Sequence, residues 1–539
     1  MTRRDFCSLR VPLAIAGAAL LALTPTMTSP FTFKAHTVTT AVALLDNEAL
    51  IMNGSDPCCV TSITPWSIPA PWYMAEAQGY ITPHFSGYTS VGLPIPDQLG
   101  PFTGLGSETF GTSLQQGTEI LNNAIMTAPG DVVAFGYSQS ATVDTLELEQ
   151  LATLPTSERP ALDQLAFVMI GDGNNPDGGL LERFDGAYIP SLDASFSGAT
   201  PDDVYPTDIY TVQYDGWADY PQYPLNLLAD LNAFAGIAYV HGEYPFLSAP
   251  QIAALAQELP TTASDTMTHY YLIPTENLPL LDPVRGIPVV GQTLADLLQP
   301  DLRVLIELGY DRIAPANVPT LAELFHTDVN PITVVQDLVQ GTVQGVNNAL
   351  TDNGLPDLPT QITGPITDLE TSLGALAGEI NPAIQAFSGG LQDALNSVTV
   401  PAQFADALSP VSDAVSSADT SLSELVNAKI DPAIQAAVFG IGDSLRETLS
   451  NVGAPVQLAD GVYLLEQVLP TELEVPGDVL TNAVHYGATG LQDLVANNFD
   501  GFVQELELIP PAVISLSLFT GLIPALGLAD LVAGVPLSL

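Results

Sequence analysis

A serine that carries out acyl chemistry needs three things its own side chain lacks. These are a base, a group to orient that base, and N–H donors for the developing oxyanion. The run Asp131-Val-Val-Ala-Phe-Gly136-Tyr137-Ser138-Gln139-Ser140-Ala141 offers the serine. β-Branched and aromatic residues lead into Gly-x-Ser-x-Ser and a helical stretch comes after it, the strand, turn and helix that a nucleophile elbow requires. Such an elbow strains the backbone at the serine, so the residues two positions to either side must be small, as Gly136 and Ser140 are. Ser140 stands where the commoner pattern has glycine, and five residues taken alone also read as an ordinary Gly/Ser loop.

Chain order on a fold of this kind is Ser, Asp, His. Tyr210-Thr-Val-Gln-Tyr214 reads as a strand entering Asp215-Gly-Trp-Ala-Asp219, so two aspartates occupy the loop where the acid belongs. Asp219 is favoured because it lies farther out, beyond Gly216; Asp215 is the reserve, and either is also an ordinary turn residue. The base is His241, in Tyr239-Val-His-Gly-Glu-Tyr244, or His269, in Thr268-His-Tyr-Tyr. Position favours His241: a helix over 225–234 and a short apolar run ending at Val240 give the succession acid, helix, strand, base. His269 opens an apolar run and suits a strand edge. For the oxyanion, the backbone of Gln139 supplies one donor. The turn Asn53-Gly54-Ser55 offers Ser55 as another, Gly54 permitting close approach, although Asn-Gly-Ser is also a plain turn.

These groups need a scaffold. Short β-branched runs, at 49–52, 131–135, 165–170 and 210–214, alternate with turns and helical stretches, which predicts an α/β domain with a mainly parallel sheet over 37–318. Ligands of such sheets bind beyond the carboxyl ends of the strands. From 319 to 505 aromatics thin out, and Leu, Val, Ala, Asp, Gln and Ser recur at helical spacing. Val329-Asn330-Pro331, Ile380-Asn381-Pro382 and Ile430-Asp431-Pro432 recur at intervals of 51 and 50 residues, and a degenerate copy begins near Val475. Asn or Asp before Pro starts a helix, so this region reads as stacked amphipathic helices without chemistry of their own. The last segment, 506–539, holds an uncharged run, Ile509 to Leu528, interrupted by Pro510, Pro511 and Pro524. It suits a buried or interfacial helix at least as well as a membrane span.

At the other end, residues 1–36 carry Arg3, Arg4 and Arg10 ahead of an uncharged stretch, the pattern of a signal peptide or N-terminal anchor. Export, to a secreted or cell-envelope location, is the expectation. Eleven basic against 60 acidic residues, with lysine only at Lys34 and Lys429, exclude nucleic acid as a partner. Beyond Cys7 the only cysteines are the neighbours Cys58 and Cys59, so neither a disulfide framework nor a zinc site is expected. Asp172 and Asp177, in GDGNNPDGG, lack the rest of a calcium loop and read as turn residues. No cofactor and no metal are called for.

The stretches MNGSDP, GYSQSA, NPDGGLLERF, YDGWADYPQYPLNLLADLNA, YVHGEYP, LPLLDPVRGIP and PDLRVLIELGY, in this order from Ala49 to about Pro315, carry a resemblance. They resemble the PE-PPE domain, an actinobacterial serine-hydrolase domain related to cutinases and lipases. The resemblance implies an α/β-hydrolase fold and an esterase or acyltransferase acting on envelope lipids, with Ser138, Asp219 and His241 as its triad. Ser55 stands where that family usually has threonine in the early turn, and a signal-like segment stands where its helical PE or PPE module would be. The expected substrate is an acyl ester, or a glycolipid of the trehalose type acylated by transfer, at an envelope lipid surface. A structural envelope protein with an inactive hydrolase domain is the remaining alternative.

Overall fold

The structure is a computed structural model. It describes residues 47–55 and 66–352, apart from 101–102, 104–106, 190–191, 263–265, 289 and 325–328. Beyond these it describes scattered residues from 409 to 426, residues 481–496, and scattered residues up to 515. The signal-like segment, Cys58 and Cys59, the repeat starts at 380 and 430 and most of 506–539 lie outside the described residues.

The predicted alternation is present. In chain order the elements are β1 (Asn47–Ile51), α1 (Pro71–Ile81), β2 (Thr89–Gly92), α2 (Phe110–Thr127), β3 (Asp131–Tyr137), α3 (Gln139–Thr153) and β4 (Leu165–Ile170). A small antiparallel pair, β5 (Tyr188–Ile189) with β6 (Ala194–Ser195), precedes β7 (Thr207–Val212) and α4 (Leu227–Tyr239). Then come α5 (Ala249–Leu255), β8 (Gln257–Glu258), β9 (Thr268–Ile273), α6 (Gly291–Glu307) and α7 (Pro331–Asp352). The main sheet runs β2-β1-β3-β4-β7-β9-β8, parallel except for β8 against β9. This is the α/β-hydrolase architecture.

Both faces of the sheet are covered, which is why β4, LAFVMI, is buried at every position. Alternate side chains serve opposite layers. Val132, Ala134, Phe167 and Met169 pack with Leu114 and Leu121 of α2 and Val143 and Leu148 of α3. Val133, Phe135, Val168 and Ile170 pack with Tyr73, Ala77 and Tyr80 of α1 and with Tyr244. The chain steps from β1 outward to β2 and then back across to β3. The crevice at the carboxyl ends of β1 and β3 is therefore the sheet's topological switch point, the place where ligands of open α/β sheets bind.

Two details depart from the sequence reading. No strand precedes His241; α4 continues to Tyr239 and a 3-10 turn, His241–Phe246, comes directly after it. Contacts also cross the boundary expected at 318/319. Thr320 donates to the Pro176 carbonyl, Ala322 lies in the hydrolase core, and Tyr486 is buried with its hydroxyl 3.2 Å from the Phe184 carbonyl. Helix α7 starts at the expected Asn330-Pro331 and lies tightly along α6, where a Cβ on Gly345 would come within 2.1 Å of the Leu297 carbonyl.

Candidate active site

Ser138 sits at the junction of β3 and α3 with φ 57° and ψ −118°, a conformation a side-chain-bearing residue adopts only under constraint. The constraints are local. A Cβ at Gly136 would lie 2.4 Å from Asp144 Oδ2 and 2.5 Å from the Ser140 carbonyl, so glycine is obligatory there. Ser140 does more than fit: its hydroxyl accepts from the Tyr137 N–H at 2.8 Å and contacts the Tyr137 carbonyl at 3.1 Å, tying the elbow together. Beneath it, burial together with Asp172 and Glu147 holds the Asp144 carboxyl well above the usual carboxylate range.

His241 Nε2 lies 2.7 Å from Ser138 Oγ, and His241 Nδ1 lies 2.8 Å from Asp215 Oδ2. Three residues separated by up to 103 positions thus form one chain of hydrogen bonds. Asp215 is fully buried and fully used: Oδ2 also accepts from the Tyr244 hydroxyl at 2.8 Å, and Oδ1 accepts from the Trp217 N–H at 3.0 Å. The Tyr244 hydroxyl in turn accepts from the Val212 N–H at 2.8 Å, anchoring the group to the end of β7. Tyr137 stacks on the imidazole at 5.5 Å and donates to the His241 carbonyl at 2.9 Å. Gly171, at φ +62°, leaves the room the ring needs, since a Cβ there would meet His241 Cε1 at 3.0 Å.

This geometry does not bring Asp219, the acid favoured from the sequence, to the histidine. Asp219 faces away from the histidine and forms a bidentate pair with Arg312, Nη1–Oδ1 at 2.6 Å and Nη2–Oδ2 at 3.0 Å. The loop curls back after Asp215, with the Asp219 N–H donating to the Asp215 carbonyl at 2.6 Å, so the residue farther along points elsewhere. His269 is likewise apart from Ser138. It is the second residue of β9, in register with Asp208, half exposed and 2.9 Å from Glu258. Its partners lie towards the amino ends of the strands, away from the crevice.

Of the two oxyanion candidates, Gln139 comes directly after Ser138 as the first residue of α3. Its side chain is anchored, donating to the Gln98 carbonyl at 2.8 Å and accepting from Ser113 Oγ at 2.9 Å. Gly54, the neighbour of Ser55, approaches the elbow closely: a Cβ on Gly54 would stand 2.9 Å from Ser138 Cβ and 2.8 Å from the Tyr137 carbonyl. Asp172 and Asp177 are used by the protein itself. Asp172 accepts from the Asn174 N–H and Thr200 Oγ1, and Asp177 pairs with Arg183 at 3.1 Å. Among the described residues no cluster of His, Cys, Asp or Glu is arranged to hold a metal ion.

Sequence reasoning missed Tyr244 and Trp217 as supports of the Asp215 carboxylate. For Tyr244 a signal existed: in a 3-10 turn residues i and i+3 share a face, so His241 and Tyr244 present together. For Trp217 the signal was the turn itself, since a turn aspartate accepts the backbone N–H two residues on.

Comparison with known proteins gives a family and its relatives. The PE-PPE domain family matches residues 86–311. Esterase PE16 of Mycobacterium tuberculosis is 39% identical over 458 residues, 84% of this chain and 73% of that protein. PE family protein PE3 of the same organism is 50% identical over 281 residues, 51% of this chain and 59% of its own length. SL1278 acyltransferase Chp1, also from M. tuberculosis, is 34% identical over 257 residues, 47% of this chain and 58% of that one. The chain thus spans nearly three quarters of the first of these and a little under three fifths of the other two.

Proposed function

The chain belongs to the PE-PPE domain family, and we propose that it is an exported serine esterase that cleaves acyl esters through Ser138, His241 and Asp215. Its relatives include an esterase and an acyltransferase, and these bracket the chemistry. The observation that carries the finer reading is the unbroken sequence of contacts from Ser138 Oγ to His241 Nε2 at 2.7 Å and from His241 Nδ1 to Asp215 at 2.8 Å.

In this reading His241 Nε2 takes the Ser138 proton as Oγ attacks the ester carbonyl. The oxyanion is met by the backbone N–H of Gln139 and by a donor from the Gly54-Ser55 turn. As the tetrahedral intermediate collapses, His241 returns the proton to the departing alcohol and the acyl group stays on Ser138. Water, deprotonated by the same imidazole, then releases the acid. Asp215 keeps the Nδ1 proton facing itself, which leaves Nε2 as the lone-pair nitrogen throughout.

A second reading differs only in the last step. The name of Chp1 favours an acyltransferase, in which a sugar hydroxyl of an envelope glycolipid takes the place of water. The basic, then apolar, start of the chain supports export to where such lipids reside.

The test is labelling of the purified protein with a fluorophosphonate, together with turnover of a p-nitrophenyl acyl ester with and without a trehalose glycolipid. Label on Ser138 and loss of turnover in a folded Ser138→Ala protein are expected. Label on another serine, or undiminished turnover, would refute the mechanism. Acylated acceptor appearing in place of free acid would select transfer.

A further inference from the structure

Resting on the reading of Asp215 as the triad acid, we infer that Arg312 is a positioning residue for the reaction. Acting through Asp219, it locks the turn at Tyr214 that aims the Asp215 carboxylate at His241.

Tyr214 immediately precedes Asp215 and has φ 66°, the left-handed region that an aromatic residue enters only when its surroundings impose it. Three sets of contacts impose it. The Tyr214 N–H donates to Asp219 Oδ2 at 2.7 Å, closing the loop on itself. The Tyr214 carbonyl is packed against Gly236 so closely that a Cβ there would lie 1.7 Å away. The Tyr214 hydroxyl is bonded to Glu307.

Arg312 holds two of these groups together. Its planar fork grips both oxygens of Asp219, its Nε lies 3.1 Å from Glu307 Oε2, and its guanidinium stacks 4.0 Å over the Tyr310 ring and 5.7 Å from that of Tyr214. Such a bidentate pair fixes orientation as well as distance, and a lysine could supply only a point charge. Without the guanidinium, the buried Asp219 carboxylate has lost its counter-charge. The 214–219 turn then relaxes towards negative φ at Tyr214, rotating the backbone of Asp215 and drawing its carboxylate off the imidazole. No hydrogen bond runs from Arg312 to Ser138 or His241, so its influence passes only through this turn.

The experiment uses the full chain with a soluble p-nitrophenyl ester. Arg312→Gln, Arg312→Lys and Asp219→Asn are measured alone and on an Asp215→Asn background, with thermal melts confirming a folded protein. A misplaced catalytic group costs on the order of 10–100-fold, so kcat of Arg312→Gln should fall by about that much with KM nearly unchanged. Arg312→Lys should fall in between. On the Asp215→Asn background the same change should cost less than about twofold, because no carboxylate remains to be aimed. A general loss of stability would instead reduce both backgrounds alike.

If Arg312→Gln does not fold, Asp219→Asn serves, since it keeps the shape and leaves Arg312 paired with Glu307. Wild-type kcat in a folded Arg312→Gln or Asp219→Asn protein, or an undiminished loss on the Asp215→Asn background, would overturn the inference. Absence of Ser138 labelling in the wild type would overturn the serine-hydrolase reading as well. Normal labelling with unaltered variant turnover would overturn this inference alone.

Discussion

Replacing Asp215 by asparagine changes one atom in the most crowded part of the site, and the hydrogen bonds around that atom dictate the outcome. The carboxylate accepts three of them: from His241 Nδ1, from the Tyr244 hydroxyl and from the Trp217 N–H. Asparagine has one acceptor oxygen, and the Trp217 N–H, fixed in the backbone, claims it. The amide nitrogen then faces His241 Nδ1 as a donor, so the imidazole must present a lone pair there and carry its proton on Nε2. That proton points at Ser138 Oγ across the present 2.7 Å contact, and the base is disabled. The wrong tautomer costs about 10⁴-fold in kcat, or about 5.5 kcal/mol of barrier. Stability should change by only about 1–3 kcal/mol, from the Tyr244 hydroxyl hydrogen left without an acceptor. The assay is p-nitrophenyl ester turnover alongside a denaturant melt. A folded Asp215→Asn protein within tenfold of wild type, with Asp219→Asn the more damaged, would return the acid's role to Asp219 and refute the reasoning.

Three further outcomes are expected. His269→Ala should keep ester turnover within about twofold, because its partner is Glu258 on an exposed strand edge; a large drop in kcat would show that the imidazole reaches the chemistry after all. A chain ending at Val318 should lose about 2–4 kcal/mol of stability, read from urea midpoints. It strips the buried Arg183 of both Thr320 acceptors and removes Ala322 from the core, so an unchanged midpoint would mean these contacts carry no weight. Stability should also decline as pH rises. Burial pushes Asp172 up to about 6, Glu147 to about 7, and Glu182 and Asp230 to about 8. Above the ordinary carboxylate range the unfolded chain has released protons that the folded chain keeps, so the stabilisation present at acid pH is lost progressively as pH passes through 6 to 8. A denaturation midpoint that rises between pH 5 and 8 would contradict this.

What the sequence by itself determined is what short-range rules govern. The elbow is a strand, a strained residue and a helix within a dozen positions, and the demand for Gly136 and a small residue at 140 comes from atoms of that same segment. The parallel sheet was legible because strands buried on both faces read as continuous apolar runs, as β4 does. His241 was singled out by its place in the chain, and it does lie beside Ser138, although the strand expected before it is a helix.

The choice between Asp215 and Asp219 was not legible. Both lie on one turn, and which carboxylate meets the imidazole depends on the left-handed backbone at Tyr214 and on Arg312, 93 positions away from the aspartate it claims. The attachment of the chain just beyond 318 was likewise decided in three dimensions, because two of the acceptors of the buried Arg183 come from Thr320, 137 positions on. Local pattern carries no information about such pairings. A buried charge takes whichever partner the closed fold brings within reach, and only closing the fold creates the low-dielectric surroundings in which that choice is enforced.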